Sequence, residues 1–401
     1  MNAGYNGFYG DNNIELDLIQ RDFPVTRKKV YMNNGAIAPI PISTIKSITD
    51  FLLKYSEDGP DSKIIYEYIV SLMKELRTRI THLINCDLDE IVFTQSTTEG
   101  LNYVCNGINW QKNDSIIIRG GTHEHYANYL PWLQLSKRKG VKLNELEIDE
   151  NGYFDFTNLE KFAKKKNTRL ITLSHALYNS GAIMPVEETG KIARENNILY
   201  CIDAAQTVGS IKVDVKKIGC HFMAFPGFKW LCGPVGIGIF YCSKNASELL
   251  IPQSIGGESA MLSDQKGIAY IESPQRFQTG FRNYPGVAGL ESSSRYILRL
   301  GIANIHNKNI KIANLLRSEL IKIPGIKIYG PEDEKARTSI IPFYSSNSDA
   351  RNLVDKLEQN DIIFAERDIG RGKKIVRASP HFFNSEEDAV KAVSCIKNIL
   401  R

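Results

Sequence analysis

Residues 198–209 read ILYCIDAAQTVG. An apolar run of strand length ends on an acid, so Asp203 stands at the carboxyl end of a strand, where open α/β sheets bind ligands. Working outward, short apolar runs alternate with amphipathic stretches from about residue 90 to 245, the pattern of a mostly parallel α/β sheet. EIVFT (90–94), DSIIIR (114–119), KLNELEI (142–148), TRLITLS (168–174), ILYCID (198–203) and GIGIFYC (236–242) read as strands, and 97–107, 125–138 and 187–196 as helices. From 284 to 322 a long helical stretch breaks near GIAN, and then IKIYG, TSIIPFY and KIVRAS alternate with helical 348–360 and 385–400. This α+β pattern predicts a smaller C-terminal domain. The expected division is a 1–30 segment packing with the small domain, a large domain over 31–285, and the small domain over 286–401.

Length and composition agree with that division, because 401 residues at 42% hydrophobic content suffice for a large core. The net charge of +5 comes from 50 basic and 45 acidic residues mixed along the chain, without the basic block of a nucleic-acid groove. A small-molecule substrate is therefore expected, with no nucleic acid. The first 17 residues are polar and carry no apolar signal core, and no apolar run approaches the ~18 residues of a membrane span. The sequence predicts a cytoplasmic protein without a membrane partner. Seven scattered cysteines, odd in number and without a C-x-x-C pair, give no disulfide framework and no metal site. Each reads as a small buried hydrophobe.

Asp203 has a chemical use if it faces a pyridinium N–H, since a carboxylate there keeps the ring protonated and able to accept electrons from a substrate carbanion. Taken alone it is an ordinary strand-end acid. Lys229 follows 26 residues later in MAFPGFKWLCGPVGIGIFY, between Phe228 and Trp230. Desolvation by such neighbours lowers a lysine's pKa and frees a neutral amine for Schiff-base formation. The stretch FTQSTTEGLNYVCNG (93–107) puts Ser96, Thr97 and Thr98 between a strand and a helix, where hydroxyls and helical N–H groups stabilise a phosphate. It also reads as a plain capping box, and the two readings are compatible. His125, in GTHEHYANYLPW, begins a helix and is placed to stack on an aromatic ring. Gln206, three residues after Asp203, is a donor for a phenolate oxygen.

The succession YMNNGAIAPIP, FTQSTTEGLN, EHYANYLPW, SHALYNSGAIMPVEE, CIDAAQTVG, FPGFKWLCGPVGIGIFY, RFQTGFRNYPGVAGL and VRASPHFFNSEED resembles the blocks of the class V aminotransferase family over about residues 20–395. That group includes cysteine desulfurases, selenocysteine lyases, isopenicillin N epimerase and kynureninase. The resemblance implies a fold type I pyridoxal-5′-phosphate (PLP) enzyme with a mainly parallel seven-stranded sheet. By it, Lys229 attaches the cofactor, Asp203 pairs with its ring nitrogen, Gln206 reaches the phenolate oxygen and His125 stacks on the ring. Thr97 and Thr98 fall on the phosphate-binding pair, with Ser96 beside them. Arg377 matches the arginine that takes the substrate α-carboxylate, a task suited to a bidentate guanidinium, and Asn34 is placed with it on the substrate. A homodimer with shared sites is implied, to which Gly280, Phe281, Arg282 and Asn283 would contribute, Arg282 supplying charge to the phosphate.

The chain makes three departures from the family pattern. Pro226 and Phe228 stand where a serine and a histidine usually precede the lysine, and Arg282 or Ser96 is left to compensate at the phosphate. Tyr178, with Asn179 next to it, occupies the place of the phenolate's asparagine donor. The region IIFAERDIGRGKKIVRAS (362–379) is short and contains no cysteine, so the nucleophilic thiol of desulfurases has no counterpart there. Glu366, Arg367, Arg371 and Lys373 in it are candidates for reading the substrate's distal end. RASPHFFNSEED leans toward the isopenicillin N epimerase-like branch. The expected activity is a β-elimination or C–S lyase reaction on an amino acid, with transamination or epimerisation as the alternative, and a binding protein that has kept only the fold as the reading from outside catalysis.

Overall fold

The structure is a computed structural model that describes residues 16–120, 124–149, 151–263, 267–280, 282–370 and 372–401. Seven strands form the main sheet: β1 (Ile91–Thr94), β2 (Ser115–Arg119), β3 (Lys142–Leu146), β4 (Thr168–Ser174), β5 (Leu199–Asp203), β6 (Phe222–Pro226) and β7 (Gly238–Cys242). Their order is β1-β7-β6-β5-β4-β2-β3, and β7 alone runs against the other six. Side chains alternate between its two faces as the two-residue period requires. Tyr200, Ile202, Met223, Phe225 and Ile239 face one core, while Cys201, Phe222, Ala224, Phe240 and Cys242 face the other. Both faces are covered, which is why these strands read as nearly continuous apolar runs. Burial of each large side chain contributes about 1.5–3 kcal/mol.

Five of the six expected strands match closely in extent. KLNELEI stops at Leu146, and Ile148 makes only an isolated bridge to Phe154. β6 was not foreseen, because its five residues end on Pro226 and merge with the lysine loop in the sequence. As the strand's last residue, the proline is tolerated. The expected helix over 125–138 divides into a 3₁₀ turn, Tyr126–Asn128, and a helix that restarts at Leu130 with Pro131 in its first turn.

Helices α1 (Ile42–Glu57), α2 (Lys63–Ile84) and α3 (Thr97–Gly107) precede β2, and α4 (Tyr284–Leu300) follows the sheet. α4 packs on α1 and α2, with Val287, Leu290 and Ile297 in the large core, so residues 286–300 pack with the larger body. Gly301, at φ +82°, breaks the long stretch as GIAN suggested, and α5 (Ile302–Ile321) continues. The C-terminal body holds an antiparallel sheet of β8 (Ile326–Ile328), β9 (Ile341–Ser345), β10 (Ala365–Asp368) and β11 (Lys374–Ala378), in the order β8-β9-β11-β10. Helices α6 (Ala350–Gln359) and α7 (Glu386–Leu400) close its own core around Phe343, Leu353 and Val393. Val30 and Tyr31 pair with Ile362 and Ile363, which ties the start of the large body to the small one. Phe23 stacks on Phe383 at the same seam, while residues 1–15 lie outside the described residues. No helix among the described residues is long and apolar enough to cross a membrane.

Candidate active site

The carboxyl ends of β4, β5 and β6 converge. Ser174 is the register partner of Asp203, and the His175 amide donates to the Asp203 carbonyl at 2.8 Å. Asp203 is buried, and its carboxylate accepts from the Ala205 amide at 2.9 Å. Desolvation raises its pKa to about 6, against the attraction of Lys229. Lys229 sits on a tight loop after β6, closed by Cys232 N to Lys229 O at 2.9 Å and Gly233 N to Gly227 O at 2.8 Å. Desolvation brings its pKa down to about 8; Asp203 opposes this, and Arg377 and Arg367 add to it. Roughly a fifth of the amine is thus neutral at pH 7.4, far more than the ordinary lysine value would leave.

The loop is clamped in place. The Trp230 indole donates to Gln206 Oε1 at 2.9 Å, and Gln206 Nε2 donates to the Gly35 carbonyl at 2.9 Å, leaving one amide N–H of Gln206 for a ligand. Gly209, at φ +96°, lies so close that a Cβ there would be 2.5 Å from the Trp230 carbonyl oxygen. That carbonyl also accepts from His381 Nε2 at 3.0 Å. Because burial holds the His381 pKa down to about 3, the ring is neutral, and its Nδ1 is left to accept from the Asn309 amide at 3.1 Å. No sequence pattern marks His381 or the indole of Trp230 for this task.

His125 caps the 3₁₀ turn, its Nδ1 accepting from Ala127 N at 3.1 Å, which places the neutral ring's proton on Nε2. Desolvation and the cations Lys229, Arg377 and Arg367 lower its pKa to about 4, so it remains an uncharged face for stacking. Tyr178 meets it edge-on, with ring centroids 5.1 Å apart. The Tyr178 hydroxyl donates to the Asp368 carbonyl at 3.4 Å, so it fastens the β10–β11 hairpin instead of sitting free as a donor. Its neighbour Asn179 is fully buried with both side-chain polar atoms unpartnered among the described residues.

Ser96 is the N-cap of α3, its hydroxyl accepting from Glu99 N at 3.2 Å, and Glu99 reaches back to the Gln95 amide at 2.5 Å. Thr97 is buried and Thr98 exposed, and the first N–H groups of the helix have no acceptor within it. Arg282 donates to the Thr279 carbonyl and pairs with Glu258 at 3.4 Å, within electrostatic reach of Glu99. Phe281 lies outside the described residues.

Arg377, on β11, is buried to 1% exposure. Its contacts among the described residues are neutral oxygens: Nη1 donates to the Tyr178 carbonyl at 2.8 Å and Nη2 to Asn33 Oδ1 at 3.3 Å, while Nε has no acceptor. Desolvation holds its pKa well below the ordinary value. Asn33 is thus the residue that touches Arg377; Asn34 donates to the Ser379 carbonyl at 2.8 Å and keeps an unpartnered Oδ1. A second network that the sequence did not reveal lies behind β4: Glu124, fully buried, accepts from the Ser174 hydroxyl and faces Arg119 at 3.6 Å.

These residues fit PLP. Buried polar groups without partners cost about 1–3 kcal/mol each and persist where a ligand satisfies them. Asn179, Asn34 Oδ1, Arg377 Nε and the His175 Nδ1 are such groups around Lys229 and Asp203. Lysine, aspartate, a neutral imidazole and a helix N-terminus are together the donor set that the cofactor's aldehyde, ring nitrogen, ring face and phosphate require.

Comparison with known proteins agrees. The Aminotransferase class-V family profile matches residues 30–390. A probable cysteine desulfurase of Methanothermobacter thermautotrophicus is 32% identical over 92% of this chain and 94% of its own length. A cysteine desulfurase of Cronobacter sakazakii is 31% identical over 82% of each. The apo structure of a cysteine desulfurase from Thermococcus onnurineus superposes with a TM-score of 0.90 at 28% identity, covering 98% of this chain and 99% of that one. The named relatives are desulfurases, and the isopenicillin N epimerase-like branch suggested by residues 377–388 finds no support among them. The chain therefore belongs to the class-V aminotransferase family and is a PLP-dependent enzyme with the fold type I architecture.

Proposed function

We propose that the enzyme is a lyase that breaks the β-carbon–sulfur bond of an amino acid and releases the sulfur-bearing group directly. The observation that carries the reading is the facing set of a half-buried Lys229 amine, a buried Asp203 carboxylate and a buried Arg377 without a carboxylate partner among the described residues. Arg377 takes the α-carboxylate and so fixes the α-carbon against Lys229. The neutral Lys229 amine removes the α-proton. Bound PLP supplies the sink for the electron pair left behind. Asp203 holds the proton on the cofactor's ring nitrogen, and the uncharged His125 covers the ring without repelling it.

Release, as opposed to capture on a cysteine, is supported by where the thiols lie. Residues 362–379 contain no cysteine. Six of the seven cysteines are buried, and Cys395 sits half-buried on α7. Burial raises the thiol of every one of them, the opposite of an activated nucleophile. The names of the relatives support chemistry at a C–S bond. The test is product analysis of the PLP-loaded enzyme with cysteine and cystine. Pyruvate and ammonia in equal amounts are expected, whereas alanine with sulfur bound to the protein would overturn the reading, as would a keto acid without ammonia.

The proposal includes a homodimer. Leu53, Ile64 and Tyr66 of α1 and α2 are 55%, 57% and 70% exposed, and Met261 and Leu262 on the hairpin of Ala260–Leu262 with Ile268–Tyr270 are 68% and 86% exposed. Apolar surface of that extent supports a partner. Arg282, close by in sequence, would then face the phosphate of the neighbouring site. Sedimentation at two chain masses, with cofactor lost from Arg282→Ala on dialysis, is the expected outcome; a monomer that retains PLP refutes it.

A further inference from the structure

The β10–β11 hairpin sorts its charges by face. In the register Ala365↔Arg377, Glu366↔Val376, Arg367↔Ile375 and Asp368↔Lys374, opposed residues share a side. Arg367 and Arg377 are therefore diagonal neighbours on one face, while Glu366, Asp368 and Lys374 point to the other. Lys374 pairs with Glu366 there at 2.8 Å, and Asp368 accepts from the Gly370 amide at 2.5 Å. On the arginine face, Arg367 is half-buried and donates only to the Glu366 carbonyl, at 2.6 Å, with no ion pair among the described residues. Both arginines weigh on Lys229 and His125 electrostatically, so both lie within electrostatic reach of the same amine and imidazole. Tyr178 joins that wall to the ring stack, its carbonyl on Arg377 and its hydroxyl on the Asp368 carbonyl.

Two guanidinium groups on adjoining positions, each without an anion, repel one another and lose solvation together. One α-carboxylate answers Arg377 alone. We infer that the substrate carries two anionic groups, an α-carboxylate taken by Arg377 and a second carboxylate or sulfonate at the far end of its side chain taken by Arg367. This inference rests on the lyase reading for its chemistry but not for its binding. Glu366, Arg371 and Lys373 are not needed for it; Arg371 lies outside the described residues.

Calorimetric titration of the PLP-loaded enzyme with succinate and with butyrate, which have equal chain length and differ by one carboxylate, isolates the second charge from turnover. Succinate is expected to bind about tenfold more tightly or better, the worth of one charge-assisted contact. Arg367→Gln should remove that preference while leaving butyrate affinity within about twofold, which also shows that the variant is folded. Equal affinity for the two acids, a preference that survives Arg367→Gln, or no succinate binding at about millimolar concentration overturns the inference. Turnover of S-sulfocysteine against S-methylcysteine provides the separate check on chemistry. Absence of pyruvate from both substrates defeats the lyase reading, and the titrations alone then decide the charge preference.

Discussion

The two ends of the site are built in opposite ways. At the β1–α3 turn, Ser96 and Glu99 satisfy amides within a span of five residues. At the β11 wall, Arg377, Asn33, Asn34, Tyr178 and Asn179 come from three distant segments, and several of their polar atoms have no partner. The first end folds by local rules and holds its shape before any ligand arrives. The second is held by long-range packing and keeps its polar groups in reserve, so stability and function are in opposition there but not at the turn.

Substitutions at the two ends should therefore behave differently. Lys229→Ala should lower turnover by about 10³-fold or more and abolish cofactor retention after dialysis, read from the visible absorbance of the protein. Arg377→Gln should reduce kcat/KM by about a hundredfold. It should also raise the melting temperature of the cofactor-free protein, since a buried charge without an anion is removed; a drop in that temperature would break the comparison. Asp203 gives the pH-dependent form of the same effect. Its pKa in the folded protein, about 6, lies above the ordinary 3.8, so stability falls as pH rises between those values. Cofactor-free Asp203→Asn should match the parent at lower pH and gain up to about 3 kcal/mol above pH 6, measured by denaturant unfolding, while binding PLP less tightly. Ser96→Ala, at the locally built end, should cost about 1 kcal/mol whether or not cofactor is present.

The same contrast decides what could be read from the sequence. Helix α3 and its cap were legible because N-cap, capping acid and apolar spacing lie within one turn. The strand-end position of Asp203 followed from a single run, and the break at Gly301 from one residue. β6 was hidden because Pro226 and the lysine loop blurred a five-residue strand. The separation of 125–138 into two turns depended on Pro131. Arg377 was found only through family resemblance, since a lone arginine in KIVRAS has no local signature. The pairing of Arg367 with it required the hairpin register, which pattern alone leaves free by one residue. Glu124 behind Ser174, and His381 behind Trp230, join positions 50 and 151 residues apart, beyond any spacing rule.

Trp230, the residue after the cofactor lysine, is gripped from both bodies: Gln206 and Gly209 on one side and His381 on the other. The peptide that carries Lys229 is thus a mechanical splice between the two halves of the enzyme. A displacement of the C-terminal half would therefore be passed through the Trp230 carbonyl to the residue next to the lysine.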